Sequence, residues 1–370
     1  MSASRAPGRG VRHLYVHLPF CGHRCGYCDF VTLVGRDGEH GAYVDALLAE
    51  LSLEGGVLAS RLETIFLGGG TPTFTQPEAL ERLLAALPDA DEVTVEANPE
   101  TVTPSLARLL SRNRVNRVSL GAQTFHTSLL AVLERRSGPD DVRRGVHTLR
   151  DAGFDNISLD LLYGIPGQTA ADLEADIESA LSLAPEHVSY YELEAKPGTR
   201  FTHAHGEELA RQAEAMEGYF ERVVEALVGT GYRWYETANF CRPGREARHN
   251  LGYWLGRDYL GLGIGAVSTL GLERRRNAPK LAGYVAALAR LQAPPREVET
   301  LDEATKRRER LMLGLRLDRP LPLASVDAAV EPAALARAER LGLAERRDAG
   351  LVLTERGRFR GGAVTAELMA

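Results

Sequence analysis

The chain has 370 residues, 44% of them hydrophobic and 25% charged, with a formal net charge of -6. That length supplies core for one large domain plus a small one, and the mild acidity excludes nucleic acid as the main partner, because neutralising phosphates needs a basic stripe. No stretch approaches the roughly 20 apolar residues that span a bilayer, and Arg5 and Arg9 precede no apolar run of the kind a signal peptide needs. The expected location is the cytoplasm.

Residues 1–12 are expected to be disordered. Beyond them, short β-branched or apolar runs alternate with helical patterns six times. Strands are predicted over His13–Leu18, Glu63–Leu67, Glu92–Glu96, Val115–Leu120, Asn156–Leu161 and His187–Leu193. Amphipathic stretches lie between them at Ala42–Leu53, Pro77–Leu87, Pro104–Arg112, Pro139–Ala152 and Ala170–Leu183, several opened by a Thr, Gln, Asp or Pro start signal. This is an α/β repeat. Its parallel strands, joined by right-handed crossovers, curl into a barrel or open sheet with the binding site at their carboxyl ends. The repeat occupies 13–200, an accessory α+β region follows over 201–318, and 319–370 forms a small unit. There Pro332–Leu341 is helical, and Gly342–Gly357 has the pattern of the wing hairpin and closing helix of a winged-helix domain. Because its helix is Ala-, Leu- and Glu-rich rather than basic, packing or partner docking is the expected role.

Cys21, Cys25 and Cys28 stand within eight residues of one another, and the only other cysteine is Cys241. Three thiolates on one loop can hold three corners of an iron–sulfur cube and leave the fourth iron open to an exogenous ligand. Zinc is the competing reading, with His17, His23 or Cys241 as fourth ligand, although a zinc ribbon shows paired C-x-x-C knuckles. Three crowded cysteines and one remote one do not suit a disulfide framework.

Every glycine-rich or unusual polar element falls after or near the end of a predicted strand: the cysteine loop, Gly68–Thr73, Glu96 with Asn98-Pro99, Gly121-Ala-Gln123, and Asp160 with Gly164-Ile-Pro-Gly167. They converge on one face. The Gly-Lys-Ser/Thr ending of a phosphate loop is missing and no G-x-G-x-x-G follows a strand. Bare glycine backbone lets a small ligand approach closely, while Glu96, Asp160 and Gln123 suit an amine or ribose hydroxyls. A nucleoside carrying an amino acid fits that set.

The chain resembles the radical S-adenosylmethionine superfamily, and within it the coproporphyrinogen-oxidase-like group. The likeness runs from about Leu14 to the C-terminus through Tyr15-Val-His17-Leu-Pro-Phe-Cys21, Gly68–Thr73, Val95-Glu96-Ala-Asn98-Pro99, Ser119–Phe125 and Asp160–Gly167. It implies a partial (βα)6 TIM-like barrel and a [4Fe–4S] cluster on Cys21, Cys25 and Cys28, with the methionine amine and carboxylate of S-adenosylmethionine on the fourth iron. It also implies contacts to S-adenosylmethionine from Tyr15, Tyr27, Gly69, Gly70, Thr71, Glu96, Gln123, Arg135, Asp160 and Ala195.

Two features select a branch. Oxygen-independent coproporphyrinogen oxidases place a further cysteine two positions after the third ligand, where this chain has Phe30; and His249-Asn250-Leu-Gly-Tyr253-Trp254 is similar to the H-N-x-x-Y-W signature of the HemW-type haem chaperones. Read from the residues alone, His249 is a buried histidine satisfied by a neighbour, with Tyr253 and Trp254 as ordinary core. The resemblance instead implies that His249, Tyr253 and Trp254 contribute to a haem site, since imidazole ligates iron and flat rings pack on the macrocycle. Cys241 is a second candidate axial ligand. The leading expectation is a haem chaperone with haem as cargo and apo-haem proteins as recipients, with no enzymatic role. A homodimer and peripheral contact with membrane haem proteins are further expectations. The alternative is a radical enzyme acting on coproporphyrinogen III, and a zinc-stabilised interaction protein is a third.

Overall fold

The computed structural model describes residues 10–194, 196 and 200–369. Six strands alternate with helices: β1 (His13–Leu18), β2 (Leu62–Gly69), β3 (Ala90–Ala97), β4 (Arg117–Gln123), β5 (Ile157–Tyr163) and β6 (His187–Glu192), with α1 (His40–Glu54), α2 (Pro77–Ala86), α3 (Pro104–Arg112), α4 (Thr127–Val132), α5 (Pro139–Asp151) and α6 (Ala170–Ser182) between them. The start signals act as their chemistry dictates. Pro77, Pro104 and Pro139 occupy first-turn positions where no N–H is needed. Thr169 and Asp172 form a reciprocal capping box at α6, with Asp172 N–H donating to Thr169 Oγ1 at 3.2 Å and Thr169 N–H to Asp172 Oδ2 at 2.8 Å.

All six strands pair in parallel and in chain order. Further strands come from downstream: α7 (Arg200–Gln212) and α8 (Met216–Gly229) lead to β7 (Arg233–Glu236) and β8 (Asn239–Cys241), and α9 (Arg248–Trp254) leads to β9 (Leu260–Leu262). The sheet order is β9-β1-β2-β3-β4-β5-β6-β8-β7, with β9 parallel to β1 and β8 antiparallel to β6. Its two ends do not pair, so this is a partial barrel. The accessory region therefore extends the barrel sheet on both edges instead of standing apart from it.

Along each strand one set of side chains is apolar and faces the helices, among them Leu14, Val16, Ile65, Leu67, Val95, Leu120, Leu159 and Val188, all fully buried. Burying one such side chain contributes about 1.5–3 kcal/mol. The alternate set is polar: Thr64, Glu92, Thr94, Glu96, Arg117, Ser119, Ser158, Asp160, His187 and Ser189. A closed barrel of this kind fills its interior with branched aliphatics, whereas this lumen is lined by hydrogen-bonding groups and forms a binding cavity.

The last unit has its own core, built from Leu321, Val326, Leu335, Leu351, Leu353, Val364 and Leu368 together with Leu311 and Leu315, which precede residue 319. Its hairpin, Ala344–Arg347 with Gly350–Leu353, turns through Asp348 and Ala349, both left-handed at φ 50° and 58°, as a two-residue turn of type I′ requires. It docks on the barrel by cations over aromatic rings. The Arg358 guanidinium lies 3.6 Å from the Trp234 ring centroid, and that of Arg316 lies 4.3 Å from the Trp254 centroid. Of the N-terminal twelve residues, 1–9 lie outside the described ones, while Val11 bridges to Leu58. No described helix is long and apolar enough to cross a membrane.

Candidate cofactor site

Past the end of β1, Phe20–Cys21 pairs in parallel with Leu33–Val34, so both ends of the loop that carries the cysteines are pinned. The glycine segment after β2 docks against the same place, with Gly70 N–H donating to Leu18 O at 2.8 Å and Thr71 N–H to Phe20 O at 2.9 Å. Here glycine is a steric requirement. A Cβ on Gly70 would lie 2.5 Å from Pro19 O and 2.9 Å from Cys21 Sγ, and Gly69, at φ +117°, would drive one to 2.6 Å from the His17 ring.

A chain of polar contacts then joins two of the thiols through three other loops. Thr71 Oγ1 lies 3.4 Å from Cys21 Sγ and accepts from Asn98 Nδ2 at 3.0 Å. Asn98 Oδ1 accepts from Arg135 Nη2 at 2.9 Å, and Arg135 Nη1 donates to Cys25 Sγ at 3.6 Å. Arg135 also donates to Gly121 O at 2.9 Å. Arg135 is thus a half-buried brace of the cysteine loop rather than a surface cation. Burial pushes the Cys21 thiol up to about 11 and raises that of Cys28; a bound metal would favour the thiolate form of a coordinating thiol.

The three thiols line the mouth of a cavity of about 510 Å³, together with Tyr27, Gly69, Gly70, Thr71, Glu96, Gln123, Arg135 and Asp160. Among the described residues no three His, Cys, Asp or Glu side chains gather round a single ion. The set of soft sulfur donors spread over one loop fits a multi-iron cluster, whose corners hold thiolates apart, better than one tetrahedral ion.

Glu96 Oε2 accepts from Gly69 N–H at 3.1 Å, and burial, reinforced by the Asp160 charge, pushes its carboxyl up to about 8. Asp160 accepts from Ser119 Oγ at 2.9 and 3.1 Å and from Ser158 Oγ at 3.4 Å; burial raises its pKa as well. β4 breaks register between Gly121 and Gln123, and Gln123 is left-handed at φ 67°. That strain, of order 1–3 kcal/mol, turns its side chain into the cavity. Glu96 makes the apoprotein pH-sensitive. Its folded pKa of about 8 lies above the usual 4.5, so the folded state holds a proton that the unfolded state has lost, and stability falls as pH rises between those values. Glu96→Gln should flatten this part of the curve, which urea melts of the apoprotein at pH 5 and pH 8 would measure; equal slopes in both proteins would remove Glu96 as the cause.

Not every expected residue reaches the cavity. Tyr15 does not line it: its hydroxyl lies 3.0 Å from His17 Nδ1 and its ring stacks on Phe66. Ala195 lies outside the described residues. The histidine motif sits at the other end of the barrel, where α9 packs under β2 and β3. Glu92 carboxylate oxygens accept from the Arg248 and His249 N–H groups, both at 3.1 Å. Thr64 Oγ1 stands 2.7 Å from His249 Nδ1 and 2.8 Å from His13 Nδ1, and His249 Nε2 is 2.9 Å from the Tyr253 hydroxyl. Both ring nitrogens are therefore engaged, the side chain is buried, and burial pushes its pKa down to about 3. In this arrangement His249 packs as a core histidine with Tyr253 as its partner, Trp254 is covered by Arg316, and a haem-binding role of the three remains an expectation from the resemblance. Asn250 is the motif residue that lines the cavity. Cys241 is fully buried on β8 with its thiol pushed up to about 12, so it stays protonated. Arg117 and Ser189 line the cavity without a signal in the sequence, while Asn98, Ser119 and Asn250, which also line it, lie in the quoted motifs but were given no contact role.

Residues 15–180 match the Radical SAM superfamily and residues 301–360 match the HemN C-terminal domain. A protein described as "Heme chaperone HemW" from Mycobacterium tuberculosis strain H37Rv is 36% identical over 374 residues, covering 96% of this chain and 94% of that protein. The chain belongs to the HemW family. Proteins of the same description from Bacillus subtilis strain 168 and Lactococcus lactis strain IL1403 are also 36% identical, the first covering 83% of both chains and the second 82% of this chain and 80% of its own. Among solved structures, the Escherichia coli coproporphyrinogen III oxidase HemN superposes with a TM-score of 0.82 at 22% identity over 98% of this chain and 91% of that one. That likeness establishes the fold: a radical SAM partial barrel with the family's C-terminal unit.

Proposed function

We propose that this protein carries a [4Fe–4S] cluster on Cys21, Cys25 and Cys28, holds S-adenosylmethionine in the adjoining cavity, and binds haem for delivery to apo-haem proteins in the cytoplasm. The observation that carries the reading is the convergence of three soft sulfur donors and two buried carboxylates on one cavity, in a chain whose relatives over nearly its whole length are described as haem chaperones. A bound cluster would supply an iron able to take an exogenous amine and carboxylate. The chain's own residues have separable tasks. Glu96 and Asp160 accept from amine or ribose hydroxyl groups, and the Gly69–Thr71 backbone admits the ligand closely. Arg135 and Asn98 keep the cysteine loop in register with strands β3 and β4. Exposed Phe30, 63% accessible at the cavity mouth, offers an apolar surface where the oxidases carry a thiol.

The anaerobically reconstituted protein should give a saturable Soret band on titration with haem, and should yield no protoporphyrinogen IX when supplied with a chemical one-electron reductant, coproporphyrinogen III and S-adenosylmethionine. Release of protoporphyrinogen IX over many turnovers would replace the chaperone reading with that of an oxidase.

A further inference from the structure

The proposed function leaves the buried charge of Arg117, at the bottom of the cavity, unused. Arg117 opens β4, is only 2% exposed, and lines the cavity from below. Among the described residues its guanidinium makes no ion pair and no hydrogen bond, and its Nε is buried without a partner. Glu96 and Asp160 attract it without reaching ion-pair distance, and a buried guanidinium without a hydrogen-bonded partner is costly, so it marks a place where an anion can be received. The nearby acids do not take that role: Glu96 is committed to the Gly69 N–H and Asp160 to the Ser119 and Ser158 hydroxyls. Burial raises the pKa of both carboxyls, that of Glu96 to about 8. His187 and His249, which also feel the Arg117 charge, are held neutral by burial.

Asn250 lines the same cavity, and its amide makes no hydrogen bond with the described residues. Its placement explains the buried histidine beside it. His249, clamped by Thr64, Glu92 and Tyr253, fixes the first turn of α9 so that the next residue faces the lumen.

We propose that Arg117 and Asn250 form a carboxylate-binding floor that anchors an anionic arm of the bound ligand. Amide and guanidinium N–H groups together match a carboxylate's two oxygens. Arg117 lies four residues before Gly121, whose carbonyl touches the Arg135 brace, so the floor is roughly 13 Å below the cysteine loop at about 3.3 Å per strand residue. A ligand held at the mouth must therefore extend deep into the barrel to reach it. The inference rests on the proposed function. The carboxylate there is a haem propionate, because the methionine carboxylate of S-adenosylmethionine is taken up by the cluster iron at the mouth.

The test is calorimetry on the anaerobically reconstituted full chain with four ligands: haem, haem dimethyl ester, S-adenosylmethionine and its decarboxylated analogue. Arg117→Met is expected to weaken haem about 10- to 100-fold, the loss of charge-assisted hydrogen bonds, while haem dimethyl ester and S-adenosylmethionine bind variant and wild type alike. Loss on haem alone supports the propionate; loss on S-adenosylmethionine alone overturns it, because that ligand's carboxylate belongs to the cluster iron. Arg117→Lys should recover part of the affinity, and Asn250→Asp should weaken the same acid by repulsion. Asn250→Asp decides alone if Arg117→Met does not fold by circular dichroism. Unchanged binding of both acids, or equal loss for an acid and its neutralised form, overturns the floor. Wild-type protein that binds neither haem nor S-adenosylmethionine removes the proposed function and the inference together, whereas wild-type binding that the variants do not disturb removes the inference alone.

Discussion

Cys25→Ala should leave the anaerobically reconstituted protein colourless, where the wild type holds about four irons per chain. The expectation follows from the way the loop is built. Cys25 is the thiol that Arg135 reaches, and Cys21 is the one that Thr71 touches. The two are linked through Asn98, so the apoprotein already holds these sulfurs in register with β3 and β4. Two remaining thiols supply too few corners for a cube. The substitution removes a half-buried side chain on a loop whose ends stay pinned by the Phe20–Cys21 and Leu33–Val34 pairing, so the fold is expected to persist. Iron and sulfide analysis beside circular dichroism separates loss of cluster from loss of structure. Stoichiometric zinc and no iron in the wild type after reconstitution would sink the cluster assignment.

The barrel was legible because its strands are short, its helices carry start signals, and the two periodicities alternate. His13–Leu18 is as predicted, and β2, β3, β5 and β6 fall within a few residues of expectation. β4 begins two residues late because Arg114 is left-handed and the Val115 N–H still bonds to Leu110 O at the end of α3. It runs three residues further because the register shift at Gly121 carries Gln123 into the sheet. Strand-end chemistry was equally readable: Glu96, Gln123 and Asp160 meet in the cavity because residues at the ends of parallel strands must. Position across the barrel was not. His249 lies far from β2 and β3 in sequence, and only the closed geometry of α9 against Thr64 and Glu92 shows that the ring faces inward to hydroxyls. Arg117 was invisible for a related reason. A lone arginine beside a strand reads as a solvated end, whereas its strand is here paired on both sides, by β3 and β5.

His249→Ala is expected to unfold the barrel more readily while leaving any bound haem spectrum as it is. The ring stacks on Phe66 at 5.1 Å between centroids and ties the Thr64 hydroxyl to that of Tyr253. Removing it leaves a cavity and takes its partner from the Tyr253 hydroxyl, while Thr64 keeps His13; together these cost about 2–4 kcal/mol. The pH dependence carries a sign that packing alone would not give. With a folded pKa of about 3 against the usual 6.5, the folded state excludes a proton that the unfolded state binds, so wild-type stability is lost as pH falls between those values. The variant should be less stable at neutral pH and should lose less on acidification. His13 and His187, also held neutral by burial, keep part of the slope. Thermal melts at pH 7.5 and pH 5 test both parts, and a Soret titration tests the third. A variant with wild-type melting and a shifted Soret band would return His249 to the haem as its axial ligand, because a core histidine with both nitrogens engaged cannot move one without the other.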